Sequence, residues 1–148
     1  MKPQNEMKMQ LESRSVNEGY ARVAVAAFAA TLDPTLEEIN DIKTAVSEAV
    51  TNCIVHAYKN TMGIIYITVR LFENGKVEIK IRDRGCGIAD VEKAREPLFT
   101  TGGGDRAGLG FSVMESFSDN VRVRSKVGSG TTVTLIKYIH GRHTSIAP

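Results

Sequence analysis

Apolar residues alternate with polar ones on both sides of one turn signal. Ile65, Ile67, Val69 and Leu71 precede Asn74-Gly75, and Val77, Ile79 and Ile81 follow it. Period-two alternation gives strands with one face to bury and one to wet, and Asn-Gly supplies a tight hairpin turn. Such a hairpin cannot bury its apolar face by itself. It needs a covering layer, and the rest of the chain supplies helices for that purpose.

Ser15-Val16-Asn17-Glu18 reads as a capping box that opens a helix to about Thr31, buried through Val16, Tyr20, Val23, Ala24, Ala27 and Phe28. Arg22 falls off that stripe. Asp33-Pro34 breaks the chain, because the residue before proline avoids helix. Thr35-Leu36-Glu37-Glu38 is a second capping box, and the long helix it opens runs to about Lys59-Asn60 with Val46, Ala49, Val50, Cys53 and Ile54 toward a core. Met7 to Arg14 alternates as a strand, and Asp90 to Arg95 suits a short helix stopped by Pro97. Leu109 to Phe117 predicts a helix buried through Leu109, Val113, Met114 and Phe117. Val121 and Val123, then Thr131 to Ile139, form a last hairpin across Gly128-Ser129-Gly130. The expected class is α/β: a two-layer sandwich with a mostly antiparallel sheet and helices on one face.

A chain of 148 residues with a formal charge of +2 suits one domain, 1–148, with 140–148 as a frayed tail. The near-balanced charge makes no case for a nucleic-acid or membrane surface. No apolar run spans a bilayer, and the polar start of the chain is unlike a signal peptide. Two cysteines, Cys53 and Cys86, make neither a disulfide framework nor a zinc site. A reduced, cytoplasmic protein is expected.

Glu48, Asn52 and His56 recur every fourth residue and so share one stripe of the long helix. A carboxylate, an amide and an imidazole in a row serve a proton, a metal ion and a polar ligand. Two glycine-rich loops lie downstream, Asp83-Arg84-Gly85-Cys86-Gly87 and Gly102-Gly103-Gly104-Asp105-Arg106-Ala107-Gly108-Leu109-Gly110. The second lacks the Gly-Lys-Ser/Thr ending of a P-loop but runs into a helix N-terminus, where backbone N–H groups can cradle phosphate.

Taken in order, Glu48-x-x-x-Asn52, Asp83-x-Gly85-x-Gly87, Gly108-x-Gly110 and Gly130-Thr131-Thr132 resemble the four motifs of the GHKL ATPases, which share the Bergerat ATP-binding fold. Ser47-Glu48-Ala49-Val50-Thr51-Asn52, Pro97-Leu98-Phe99-Thr100-Thr101 and Ala21-Arg22-Val23 are similar to the anti-sigma factor/serine kinase branch, in its sporulation form. The resemblance implies ATP/ADP with Mg²⁺ bound through Asn52, and Glu48 as the general base toward a serine hydroxyl. It places Asp83 on the adenine amino group, Gly85 and Gly87 where the base meets the backbone, and Cys86 beside it. Thr100 to Gly110 becomes the ATP lid, with Thr100, Thr101, Arg106, Gly108, Leu109 and Gly110 at the nucleotide and Thr132 near the adenine network. The lid departs from its relatives in Gly102-Gly103-Gly104, which raises the entropy cost of closure. Arg22 is implied as a contact to protein partners, a sigma factor of the sigma F type and an anti-anti-sigma factor that accepts phosphate on serine. A homodimer is implied as well, with no direct nucleic-acid or membrane contact.

Other readings are a general-stress-type relative and an ATP-sensing binding module without kinase activity. A sensor histidine kinase would need an upstream phosphoacceptor histidine, and none precedes Glu48. A gyrase-like ATPase would need a second domain beyond the last strand. His56, a turn past Asn52, is read as packing and left out of the catalytic set.

Overall fold

The computed structural model describes residues 1–96 and 107–141. Strands β1 (Asn5–Glu12), β2 (Ile64–Leu71), β3 (Lys76–Asp83), β4 (Asn120–Lys126) and β5 (Gly130–Tyr138) form one antiparallel sheet in the order β1-β2-β3-β5-β4. Helices α1 (Val16–Ala29), α2 (Leu36–Asn52), α3 (Val91–Ala94) and α4 (Ala107–Ser116) complete the expected α/β sandwich. The core lies between the layers: Ile65, Ile67, Val69, Ile79, Ile81 and Leu135 from the sheet meet Ile42, Val46 and Val50 of α2, with Phe111 and Met114 of α4. In the β2–β3 turn only Gly75 takes a positive φ, +88°, while Asn74 accepts from the Lys76 N–H at 3.2 Å.

Two details of α1 differ from expectation. Ser15 has helical backbone angles and makes no side-chain cap, because Glu18 turns to Arg22 instead, Nε to Oε2 at 2.9 Å. The buried face is Ala21, Val25, Ala26 and Ala29, whereas Val16, Tyr20 and Val23 are 75%, 65% and 56% exposed. The helix is apolar on both sides, so periodicity leaves its rotation open. Alanines at 21 and 29 settle it by letting the backbone approach the layer beneath. In α4 likewise Phe111 and Met114 are buried and Phe117 is exposed; the side chain of Leu109 lies outside the described ones.

The Thr35–Glu38 capping box of α2 forms as expected, with both reciprocal hydrogen bonds present. Glu38 does more than cap. Its carboxylate also accepts from the backbone N–H of His140 at 2.8 Å and of Gly141 at 3.1 Å, so the chain after β5 is tied to the start of α2 rather than frayed at that point. Burial disfavours the charged form, yet the N–H donors of His140, Thr35 and Gly141 and the Thr35 hydroxyl together hold the Glu38 carboxyl below 4.5. Glu38→Ala should cost about 2–4 kcal/mol in denaturant unfolding, since buried donors lose an ionised acceptor. A folded pKa below the unfolded one contributes stability above pH 4.5 that is lost as pH falls through the lower, folded value. Wild type should therefore lose more stability in that acid range than Glu38→Ala does.

Candidate functional site

The helix carrying Glu48 and Asn52 does not run unchanged to Asn60. Its hydrogen bonding widens into a π turn over Cys53–Ala57, a distortion frequent at functional sites. Tyr58 locks the end. Its hydroxyl donates to the Ile64 carbonyl at 2.7 Å and accepts from the Arg84 N–H at 2.6 Å, which joins the helix end to the entry of β2 and to the loop after β3. The Ala57 carbonyl accepts from the Cys86 N–H at 3.1 Å. Sequence reasoning missed Tyr58, since nothing in a helix pattern announces a π turn or its clasp.

The glycines of this loop are needed by the chain itself before any ligand arrives. A Cβ on Gly85 would lie 2.4 Å from the Ala57 carbonyl oxygen. Gly87 has φ +77°, and a Cβ there would lie 2.2 Å from the Lys126 carbonyl oxygen. Both clashes are with backbone, which cannot swing away.

Asp83 ends β3 and is 5% exposed. Its Oδ1 accepts from the N–H groups of Gly85 at 2.9 Å and Thr131 at 3.2 Å. Burial pushes its carboxyl above the usual 3.8, against the pull of those two donors and of the Cys53 thiol beside it. Burial, with the Asp83 charge next to it, pushes the Cys53 thiol well up. Here the structure corrects the expectation for Thr132. Register pairs Asp83 with Thr131, and Thr132 sits opposite Arg82 on the other face of the sheet. The signal was present: Val133 and Leu135 face the core, so alternation turns Thr131 inward and Thr132 outward.

Asp83 and Thr131 line a cavity of about 290 Å³ together with Asn52, Cys53, His56 and Cys86. The remaining wall is largely apolar, from Ala49, Ala57, Ile88, Ala94, Phe111 and Val133. A slot with apolar walls and one buried carboxylate fits a planar aromatic ring that carries an amino group. Cys86 is exposed, and its Sγ–H meets the His56 carbonyl at 3.4 Å.

At the other end of the site α4 closes against α2. A Cβ on Gly110 would lie 3.2 Å from Asn52 Oδ1 and 3.4 Å from Glu48 Oε2, so both side chains abut the first turn of α4. Asn52 Nδ2 is buried and has no hydrogen-bond partner among the described residues. Nearly all buried donors are satisfied in folded proteins, so this one marks a place prepared for something else. An asparagine amide offers an oxygen suited to a hard cation and an N–H suited to a phosphate oxygen.

The structure thus brings Glu48, Asn52, Asp83, Gly85, Gly87 and Gly110 to one region. Gly108 and Leu109 fall in the first turn of α4. Thr100, Thr101 and Arg106 lie outside the described residues. Arg22 stands apart on α1, paired with Glu18.

A family model described as the histidine kinase-like ATPase domain matches residues 10–137. An anti-sigma F factor from Caldanaerobacter subterraneus subsp. tengcongensis is 56% identical over 140 residues, covering 94% of this chain and 97% of the relative. The anti-sigma F factor of Priestia megaterium is 50% identical over 137 residues, 91% of this chain and 93% of the relative. Among solved structures, the RsbU and RsbW domains of a Mycobacterium tuberculosis protein match with a TM-score of 0.68 at 22% identity, over 93% of this chain and 33% of that one. A histidine kinase domain from Erythrobacter litoralis matches at 0.60 and 18% identity, over 88% of this chain and 63% of that one. These two are similar in fold.

Proposed function

The chain belongs to the histidine kinase-like ATPase family, in the branch of the anti-sigma F factors, and from that membership we propose an ATP-dependent serine kinase that also sequesters a sigma factor. Residues 1–148 act as one ATP-binding domain. It holds a sigma factor of the sigma F type and phosphorylates a serine of an anti-anti-sigma factor, which is thereby inactivated. The observation that carries the reading is the buried Nδ2 of Asn52, without a partner among the described residues, where Asn52 and Glu48 meet the first turn of α4 at the end of a cavity anchored by Asp83.

Asp83 accepts from the adenine amino group while Thr131 and Gly85 hold its carboxylate in place. A bound donor favours the ionised form of Asp83 that burial disfavours, so the adenine amino group and the carboxylate stabilise each other. The N–H groups in the first turn of α4, from Gly108 to Gly110, suit the phosphates. Asn52 would hold Mg²⁺, which when bound neutralises charge on the transferring phosphoryl group. Among the described residues no group of three His, Cys, Asp or Glu could cage a metal, so phosphate and water would supply its other ligands. Glu48 takes the proton of the serine hydroxyl as it attacks. Thr100, Thr101 and Arg106 complete the lid in this reading. No helix among the described residues is long and apolar enough to cross a membrane; we place the protein in the cytoplasm as a homodimer.

The test is to incubate the chain with Mg·ATP and a pair of partners, a sigma factor of the sigma F type and an anti-anti-sigma protein, and to measure phosphoserine and complex formation. Sigma factor retention without any phosphoserine would leave a binding module and remove the kinase.

The partner surface in this reading includes α1. Arg22 is held by Glu18 beside the exposed Tyr20 and Val23, so a guanidinium fork stands ready next to apolar contact area. Arg22→Ala should weaken binding of both protein partners at least about tenfold, roughly 1.4 kcal/mol, and leave Mg·ATP affinity alone. A pull-down with nucleotide titration checks both halves, and unchanged partner binding would return Arg22 to ordinary surface.

A further inference from the structure

The sheet face turned away from the helices carries charge of one sign near the β4–β5 turn. Alternation points Lys80 and Arg82 of β3 outward, and Arg84 follows them; from β4 come Arg122, Arg124 and Lys126. Register lines up Arg82, Thr132 and Arg124 across the sheet, and Lys80, Thr134 and Arg122 in the next row. None of these six cations has a carboxylate within ion-pair distance among the described residues. The carboxylates Glu6 and Glu78 of the same face are engaged by Arg70 at its other end. At the turn the face dips into a groove of about 250 Å³ whose lining includes Arg82, Arg124, Lys126, Ser129 and Thr132, with Asp83, 5% exposed, as its one carboxylate residue. Tyr66 lies at the margin with the Arg84 and Arg82 guanidinium groups 4.9 and 5.3 Å from its ring centre.

We propose that this face binds a single strand of nucleic acid through its phosphates. The cores of protein interfaces are depleted of charge and rich in apolar anchors, whereas nucleic-acid interfaces are polar and strongly positive. This face has the second composition. Cations along each strand recur about every 7 Å, and the β3 and β4 rows stand about 10 Å apart with threonines of β5 between them. That channel takes one phosphate backbone, with Tyr66 and its guanidinium planes at the margin to stack on a base. The formal charge of +2 hid the feature, because the balancing carboxylates lie elsewhere in the chain. The proposal stands independently of the kinase reading.

The test is fluorescence anisotropy of a labelled oligothymidylate titrated with the full chain at several salt concentrations, beside a duplex of equal length and a polyglutamate peptide. The single strand should bind best and weaken as salt rises. Arg82→Gln/Arg124→Gln should lose at least tenfold in affinity and flatten the plot of log K against log salt by about 1.4, two phosphates at about 0.7 each. Its Mg·ATP affinity and melting temperature should hold. Arg122→Gln/Arg124→Gln, confined to the edge strand β4, repeats the test should the first variant not fold. Wild type that fails to bind the strand, that binds duplex or polyglutamate as tightly, or that is matched by either folded variant overturns the proposal.

Discussion

Glu48→Gln should lower the rate of phosphate transfer to the anti-anti-sigma partner by about 10²–10⁴-fold, the scale of a positioned general base, with Mg·ATP affinity close to wild type. The argument is geometric before it is chemical. Glu48 Oε2 lies against Gly110 in the first turn of α4, one helical turn from Asn52, so it stands where α4 closes the site. Glutamine keeps the volume and one oxygen acceptor, and the packing against Gly110 survives. What it cannot do is take a proton. Single-turnover transfer of labelled γ-phosphate gives the rate, and calorimetric titration gives the nucleotide affinity separately. A mutant that transfers at the wild-type rate removes Glu48 from the chemistry. A mutant that loses rate and ATP affinity in parallel makes Glu48 part of the nucleotide cradle instead of the base.

Much of the scaffold was legible because local and tertiary signals agreed. The β2–β3 hairpin follows from alternation about Asn74-Gly75, and α2 from the Thr35–Glu38 box and an apolar stripe that is the buried one. Glu48 and Asn52 could be placed together because a four-residue step on a helix fixes a shared face. The misreadings have a common cause, which is a pattern compatible with two geometries. α1 has apolar residues on opposite sides, and only packing selects Ala21, Val25 and Ala29 over Val16, Tyr20 and Val23. Thr131-Thr132 offers two hydroxyls in succession, and register with Asp83 selects the first. Gly85 and Gly87 are no misreading, but alternation could not show that each is also a place where two backbone segments touch. The π turn and the Tyr58 clasp left no trace in periodicity, because both depend on where β2 and β3 lie relative to the end of α2.

Asn52→Ala should separate function from stability in opposite directions. Losing a residue that orients a metal ligand costs roughly 10–100-fold in affinity, and Asn52 would be the ligand itself, so Mg·ATP binding should fall by at least about 100-fold. The ligand-free protein should lose nothing in thermal unfolding and should gain slightly. Asn52 Nδ2 is buried with no partner among the described residues, and an unsatisfied buried donor carries a desolvation cost of about 1–3 kcal/mol that alanine removes. Against that gain stands a small loss of packing where the amide abuts Gly110. Calorimetry with and without Mg²⁺, beside melting curves of the nucleotide-free protein, reads both effects. In wild type Mg·ATP should raise the melting temperature, and in Asn52→Ala that increment should vanish. A mutant that melts well below wild type without nucleotide would show that the amide is structurally satisfied. A mutant that keeps its Mg²⁺-dependent affinity would move the cation away from Asn52.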